Sequence, residues 1–287
     1  MSVPQALVKA IEDQERLDDL ARPLVELAGK ATRPDAVKNA LSGTWLGHQL
    51  HPMLTDLPLG AWVMAAALDW TAGRSGARSA RRLVGLGVLA ALPAAASGAS
   101  DWSETYGGEQ RIGLVHAAAN VAGVVVQSAS WVARRRGHRL TGMALSAVGL
   151  GTVLASAYLG GHLSFVRGVG INHTAFDGTV ADWTDVAGLD ELAPDKPVRV
   201  TPGGVPVMLV LHDGEVRALS ATCVHAGGPL DEGDVVDGCI RCPWHASRFA
   251  IDSGKVVRGP ASMDQPAWEV RSEAGRVQVR SPAPSRG

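Results

Sequence analysis

A chain of 287 residues with 27 basic and 28 acidic side chains, a formal net charge of −1 and 46% hydrophobic residues has room for about two domains. Its arginine clusters sit in short stretches between apolar segments and form no basic domain face, which excludes a nucleic-acid footprint. Three cysteines are too few for an extensive disulfide framework, so the cysteine chemistry expected here is metal binding.

The averages conceal a partition. Residues 1–44 carry seven acidic and six basic side chains, residues 45–170 only five acidic and ten basic, and residues 171–287 sixteen acidic and eleven basic. Residues 1–44 read as short amphipathic helices broken near Pro23 and Pro34, a packing or interfacial segment without the apolar core of an amino-terminal signal peptide.

Four candidate membrane spans follow. The first runs from about Leu50 to Trp70 and contains Asp56, with Trp45 ahead of it. Eighteen uncharged residues separate Arg82 from Asp101, twenty-two separate Arg111 from Arg134, and twenty-seven separate Arg139 from Arg167. Runs of about eighteen or more apolar residues are long enough, as helices, to cross the hydrocarbon core. Trp102 and Trp131 end two of the runs, as expected of rings at headgroup level. The competing reading is a soluble all-α core, but soluble helices seldom stay apolar on every face for so long. A four-helix transmembrane domain over residues 45–168 is therefore expected. The arginine-rich loops Arg74–Arg82 and Arg134–Arg139 would face the cytoplasm, the acidic stretch Asp101–Gln110 the other side. Both termini would then lie outside, giving a multi-pass protein of the cell membrane with an extracytoplasmic C-terminal domain.

Ionisable residues inside a span raise a functional question. Up-and-down threading brings His51, His116 and His162 to one membrane face, with Asp56 at a similar level. Three readings stay open: axial ligation of haem b by paired histidines, a quinone or proton site, or a hydrogen-bonded cluster that fastens helix ends.

From about Ala181 the pattern changes to short β-runs and turns. Val205–Leu211 and Val216–Ser220 flank Asp213-Gly214, a strong hairpin signal. Two loops follow: Cys223-Val224-His225-Ala226-Gly227-Gly228-Pro229-Leu230 and Cys242-Pro243-Trp244-His245-Ala246-Ser247-Arg248-Phe249. One Cys and one His per loop suit a [2Fe–2S] centre, in which two thiolates bind one iron and two neutral imidazoles the other. Gly227 and Gly228 let the first loop turn closely, and Pro243 stiffens the second. The competing metal is structural zinc, which ordinarily pairs C-x-x-C with a separate histidine pair. Cys239 lies outside this set and reads as a buried strand cysteine.

On those two boxes, residues of about 175–282 resemble a Rieske ferredoxin-type domain. The resemblance implies an antiparallel β fold with the loops at its tip, His edges near solvent, and Cys223, His225, Cys242 and His245 as cluster ligands. It also implies that Ser247 donates a hydrogen bond to a cluster sulfur. Rieske subunits of cytochrome bc complexes carry a further Cys in each loop, joined as a disulfide, and a Tyr beyond the Ser. Gly228, Trp244 and Phe249 stand there in this chain. Fewer donors leave more negative charge uncompensated on reduction, which predicts a potential in the lower or middle part of the roughly −150 to +300 mV Rieske range. Residues of about 40–168, with Gly47-His48-Gln49-Leu50-His51-Pro52 and Gly160-Gly161-His162, resemble an uncharacterised family of bacterial four-helix membrane domains, a likeness that brings no activity with it.

The expected architecture is thus a two-domain α+β chain: an amphipathic helical segment, a four-helix transmembrane bundle and a C-terminal antiparallel β Rieske domain. The expected function is a membrane-anchored one-electron carrier, an electron-transfer component of an oxidoreductase system, between a membrane donor (quinone or haem) and a redox protein partner. The alternative is a redox sensor whose cluster controls the helical bundle. A complete Rieske oxygenase is not expected, because its mononuclear iron needs a further domain and only forty-two residues follow His245.

Overall fold

A computed structural model describes residues 3–281; the expected limits at residues 1 and 282 fall outside them. The chain forms two compact units. One comprises the residues up to Arg33 together with Leu50–Val169, the other Pro34–Gln49 together with the chain from Gly170 onward. The amino-terminal segment, read from sequence as one piece through residue 44, is thus divided between the two.

The first unit is helical: α1 (Val3–Glu12), α2 (Leu17–Ala31), α4 (Leu50–Thr71), α5 (Ala77–Trp102), α6 (Gly107–Arg135) and α7 (Arg139–Phe165), with α3 (Asp35–Ser42) assigned to the second unit. Helices α4 to α7 each pack on the next, and α7 returns to α4, while α1 and α2 lie against α6. Burial is inverted relative to a water-soluble bundle. Leu86, Leu89, Leu92, Val121, Val125, Val148 and Leu154 are exposed, whereas Ser97, Ser100, Gln127, Ser130, Ser146 and Ser156 are buried. Small residues at the seams let the helices approach closely, as in membrane bundles. A Cβ on Gly87 would come within 2.4 Å of Trp62 Nε1, and the buried Trp62 indole donates to Val84 O at 3.3 Å. Gly113 receives the Trp102 ring and Gly85 the Trp131 ring in the same way. Trp102 and Trp131, both half-buried, thus pack one side of the ring against a neighbouring helix.

Among the described residues three helices, α5, α6 and α7, are long and apolar enough to cross a membrane. Helix α4 is not among them, so the expected count of four is not reached on composition. His51, Asp56, Asp69 and two prolines dilute its apolarity. Asp69 is nevertheless buried, because the Arg134 guanidinium grips both its oxygens at 3.0 and 2.5 Å and also donates to Ser130 Oγ at 3.2 Å. Arg139 adds bonds to the Asp69 and Gly73 carbonyls, both at 3.1 Å. Arg134 belongs to the last turn of α6 and Arg82 to the first turns of α5, so the arginines read as loop charges lie largely on helix ends.

Among the described residues the second unit has ten short strands: β1 (Thr184–Gly188), β2 (Val198–Val200), β3 (Val207–His212), β4 (Glu215–Ser220), β5 (Asp234–Val236), β6 (Cys239–Arg241), β7 (Arg248–Ala250), β8 (Val256–Arg258), β9 (Glu269–Glu273) and β10 (Arg276–Arg280). They form three antiparallel sheets, ordered β1-β10-β9, β2-β3-β4 and β5-β6-β7-β8. The β3–β4 hairpin turns at Asp213-Gly214, both at positive φ, as that dipeptide predicts. One apolar core, with Met208, Leu219, Leu230, Ile240, Phe249 and Ile251, reaches up to Cys223 and Cys242; a second lies under Trp268, Val277 and Val279.

Removing one partner of a buried ion pair leaves an uncompensated charge, typically at a cost of about 3–5 kcal/mol. Arg134→Ala should therefore lower the melting temperature of the detergent-solubilised protein markedly. The neutral pair Asp69→Asn/Arg134→Gln should recover most of that loss, and equal melting temperatures for the single and double variants would count against the pair.

Candidate metal centre

The two loops leave the β-core at equivalent points and are closed by the same backbone device. In the first, between β4 and the turn at Leu230–Glu232, Cys223 N–H donates to Gly228 O at 2.8 Å and Gly227 N–H to Cys223 O at 2.9 Å. In the second, between β6 and β7, Cys242 N–H donates to Ser247 O at 2.8 Å and Ala246 N–H to Cys242 O at 3.0 Å. The turns require left-handed backbone at Gly227 and at Ala246.

This folding brings the four candidate ligands into two pairs. The thiols of Cys223 and Cys242 are buried and hydrogen-bonded to each other. The rings of His225 and His245 meet edge to face with centroids 4.9 Å apart. Backbone N–H groups of His225 and Ala226 point at the Cys223 sulfur, those of Trp244 and His245 at the Cys242 sulfur. The shared hydrogen bond raises the Cys223 thiol and lowers Cys242 to about 7. Burial, then the neighbouring His245, Lys38 and His173, push the His225 imidazole down to about 3, so the ring is neutral, the form a metal needs. His225 Nδ1 is buried without a hydrogen-bond partner among the described residues. A buried ring nitrogen in that condition is costly unless something takes its lone pair. A thiol pair, an imidazole pair and converging N–H donors fit a two-iron cluster. All three cysteines are free, with Cys239 buried in β6.

Residues that the sequence pattern did not single out hold the loops. Gln265, buried, donates from Nε2 to Ser220 O at 2.8 Å and Thr222 O at 2.7 Å, and accepts from Val224 N–H at 3.0 Å. Ser247 is buried, and its hydroxyl oxygen accepts from Ala261 N–H at 3.0 Å, which leaves its own hydrogen free to point elsewhere. Asp35 of α3 pairs with Arg248 and, at 2.7 Å, with Arg258, which reaches Ala246 O at 3.2 Å. A lone Gln, or an Asp more than two hundred residues upstream, carries no local signal of such a role.

The membrane-side candidates engage different partners within the chain. His51 and His116 approach with ring centroids 6.5 Å apart. His51 Nδ1 lies 2.9 Å from Ala94 O. His116 uses both nitrogens within the chain, Nδ1 on Ser156 O at 2.9 Å and Nε2 accepting from Asn120 at 3.1 Å. His162 sits 3.9 Å from Glu12, and Asp56 is exposed. With its ring nitrogens already engaged, His116 has the partners of a helix-fastening group, and the arrangement lends no support to haem.

Residues 182–269 match the family model of the Rieske [2Fe-2S] domain, and residues 47–173 that of a predicted membrane protein, DUF2231. The p-cumate 2,3-dioxygenase system ferredoxin component of Pseudomonas putida is 32% identical over 34% of this chain and 87% of its own length. The anthranilate 1,2-dioxygenase ferredoxin subunit of Burkholderia cepacia is 29% identical over 36% of this chain and 95% of its own. Among solved structures, the ferredoxin of carbazole 1,9a-dioxygenase from Nocardioides aromaticivorans IC177 is 30% identical, covering 36% of this chain and all of that one, with a TM-score of 0.34.

A Cβ on Gly228 would stand 2.9 Å from Cys242 Sγ and 3.2 Å from the Trp244 ring. Gly228→Ala should therefore force the loops apart, at about 1–3 kcal/mol for overpacking, and lower the iron and acid-labile sulfide recovered per chain. Full iron content in that variant would show that the loops have slack. On the two family matches and the relatives it shares, the chain belongs to the Rieske [2Fe–2S] family, with its Rieske domain placed behind a segment of predicted membrane protein.

Proposed function

We propose that this chain is a membrane-held one-electron carrier in which Cys223 and Cys242 bind one iron, and His225 and His245 the other, of a Rieske cluster. The observation that carries this reading is the sorting of the four side chains into a thiol pair and an imidazole pair on two loops of like construction. The bound cluster supplies a one-electron couple whose potential is raised by neutral imidazole ligation. The protein's part is electrostatic and positional. Four backbone N–H groups face the sulfurs, Ser247 has a hydroxyl hydrogen to offer to a sulfide, and Gln265 fixes the first loop. Trp244, 55% exposed at the tip of the second loop, offers a surface to a redox protein partner. The ferredoxin components named above favour such a partner, and the apolar helices favour a donor at the bilayer.

The division of the chain bears on topology. Residues 34–49 and 170–281 belong to one compact unit, which supports exit from and return to the same side of the membrane and an even number of crossings by α4 to α7. With three apolar helices, this favours α4 as a fourth span, its Asp69 neutralised by Arg134. The arginines at the α4–α5 and α6–α7 ends favour the cytoplasm for those turns and an extracytoplasmic Rieske domain.

Redox-poised EPR and optical spectra of the detergent-purified full-length protein test the carrier. A reduced Rieske signal with two irons per chain is expected, with a midpoint in the lower or middle part of the roughly −150 to +300 mV range. Cys242→Ser should abolish the signal. Zinc in place of iron would overturn the assignment. Impermeant thiol labelling of single cysteines placed at Ser75 and Glu104 should find them on opposite faces, with Ser75 cytoplasmic.

A further inference from the structure

Helix pairs α4–α5 and α6–α7 are fastened by the same contacts at the same places. His51 Nδ1 donates to Ala94 O at 2.9 Å, and His116 Nδ1 donates to Ser156 O at 2.9 Å. A glycine one turn beyond each acceptor lies against the imidazole. A Cβ on Gly98 would come within 2.6 Å of the His51 ring, and one on Gly160 within 3.0 Å of the His116 ring. Eleven residues after each histidine stands a second donor across the helix seam. The Trp62 indole donates to Val84 O at 3.3 Å and the Gln127 amide to Ser146 O at 3.1 Å, with Gly87 and Gly149 against them. Each of these positions in α6 lies sixty-five residues after its counterpart in α4, and each in α7 sixty-two after its counterpart in α5.

Burial follows the same offsets. Pro58, Trp62, Ala65 and Asp69 of α4 correspond to Gly123, Gln127, Ser130 and Arg134 of α6, all of them buried. The buried residues of α7, Gly142, Ser146, Gly149 and Ser156, correspond to buried Ala80, Val84, Gly87 and Ala94 of α5. Any bundle buries one stripe of each helix, but helical periodicity does not place the same bond between the same two positions of each pair. The side chains have diverged, and that divergence conceals the repeat in the sequence.

We infer that α4–α5 and α6–α7 are two copies of one helix pair related by a two-fold axis along the bundle, the inner face of each copy being built to receive the other. Residues equivalent under a two-fold axis touch each other only where they lie beside it. His51 meets His116, with ring centroids 6.5 Å apart, and Asp69 meets Arg134, near opposite ends of α4 and α6. Those two contacts mark the axis. The other interfaces exchange as the axis requires, α5 packing on α6 and α7 on α4. Identical copies would set Asp against Asp or Arg against Arg at the second contact. Joined in one chain, the copies carry opposite charges there, and a repulsion becomes the buried pair. The repeat is independent of the cluster ligands, and it supplies a reason for α4 to cross with α6 that the composition of α4 lacks.

Transplanting contacts between the halves tests the equivalence, read as melting temperatures of the full-length protein in detergent. In α6–α7, Ser146 also donates to Gln127 Oε1 at 2.9 Å. Trp62→Gln with Val84→Ser should build the same reciprocal bond in α4–α5, where neither residue now stands. That double variant should melt about 2–4 °C above Trp62→Gln alone, the shift one hydrogen bond gives in a domain of this size, and above what the two single losses predict together. The reverse transplant, Gln127→Trp with Ser146→Val, should likewise gain over Gln127→Trp alone. Simply additive losses in the transplants overturn the inference. Spin labels on exposed positions need no buried substitution and decide the matter if the transplants fail to fold. With Cys239→Ser removing the free thiol, cysteines replacing Leu57 and Val148, and separately their counterparts Ala122 and Leu86, should report equal distances. Unequal distances overturn the two-fold axis.

Discussion

Polar groups withdrawn from water must find partners inside the chain, and both units are organised around that requirement. In the helical unit polar side chains are buried between the helices while many large apolar ones face outward, and several buried donors are matched across a helix seam. Ser146 donates to Gln127 Oε1 at 2.9 Å, Ser130 to Gly142 O at 2.6 Å, and Arg134 to Asp69. The glycines that admit tryptophan rings bring the backbones near enough for these bonds to form. An exterior of Leu and Val has no water-soluble rationale at this extent and is what a bilayer accepts.

In the β-rich unit the same requirement acts on a smaller scale. Both cluster loops close on themselves through backbone bonds, and Gln265 takes up the carbonyls that the first loop leaves behind. His225 Nδ1 is buried without a hydrogen-bond partner among the described residues. The apolar core stops at the two thiols, and beyond them the donors converge. The Cα trace of such loops would be of little use with the backbone amides turned away, because thiolates at a cluster accumulate charge that only nearby N–H dipoles can offset.

The parts legible in sequence were those with a local pattern. Asp213-Gly214 fixes a hairpin by its own conformational preference, and the Cys and His pairs announce themselves by spacing. The three long uncharged runs became α5, α6 and α7. Illegible were contacts whose partners lie far apart in the chain. Arg134 looked like one of a row of flanking charges, yet its partner, Asp69, ends another helix. Trp102 and Trp131 sit at the ends of runs, and the glycines that receive their rings, Gly113 and Gly85, stand on other helices. For His116 the sequence leaves three readings open, and its partner Ser156, forty residues on, has no local signal.

Helix α3 is the clearest case. Nothing local in Asp35 or Asn39 announces a role, yet Asp35 pairs with Arg248 and Arg258, and Arg258 reaches Ala246 O in the second loop. Asn39 holds the end of β8 through Val257 O and Gly259 N–H. The second cluster loop is thus buttressed by a helix that precedes the apolar helices in the chain, through contacts between residues more than two hundred positions apart. Composition alone, seven acids and six bases without a pattern, does not supply such contacts.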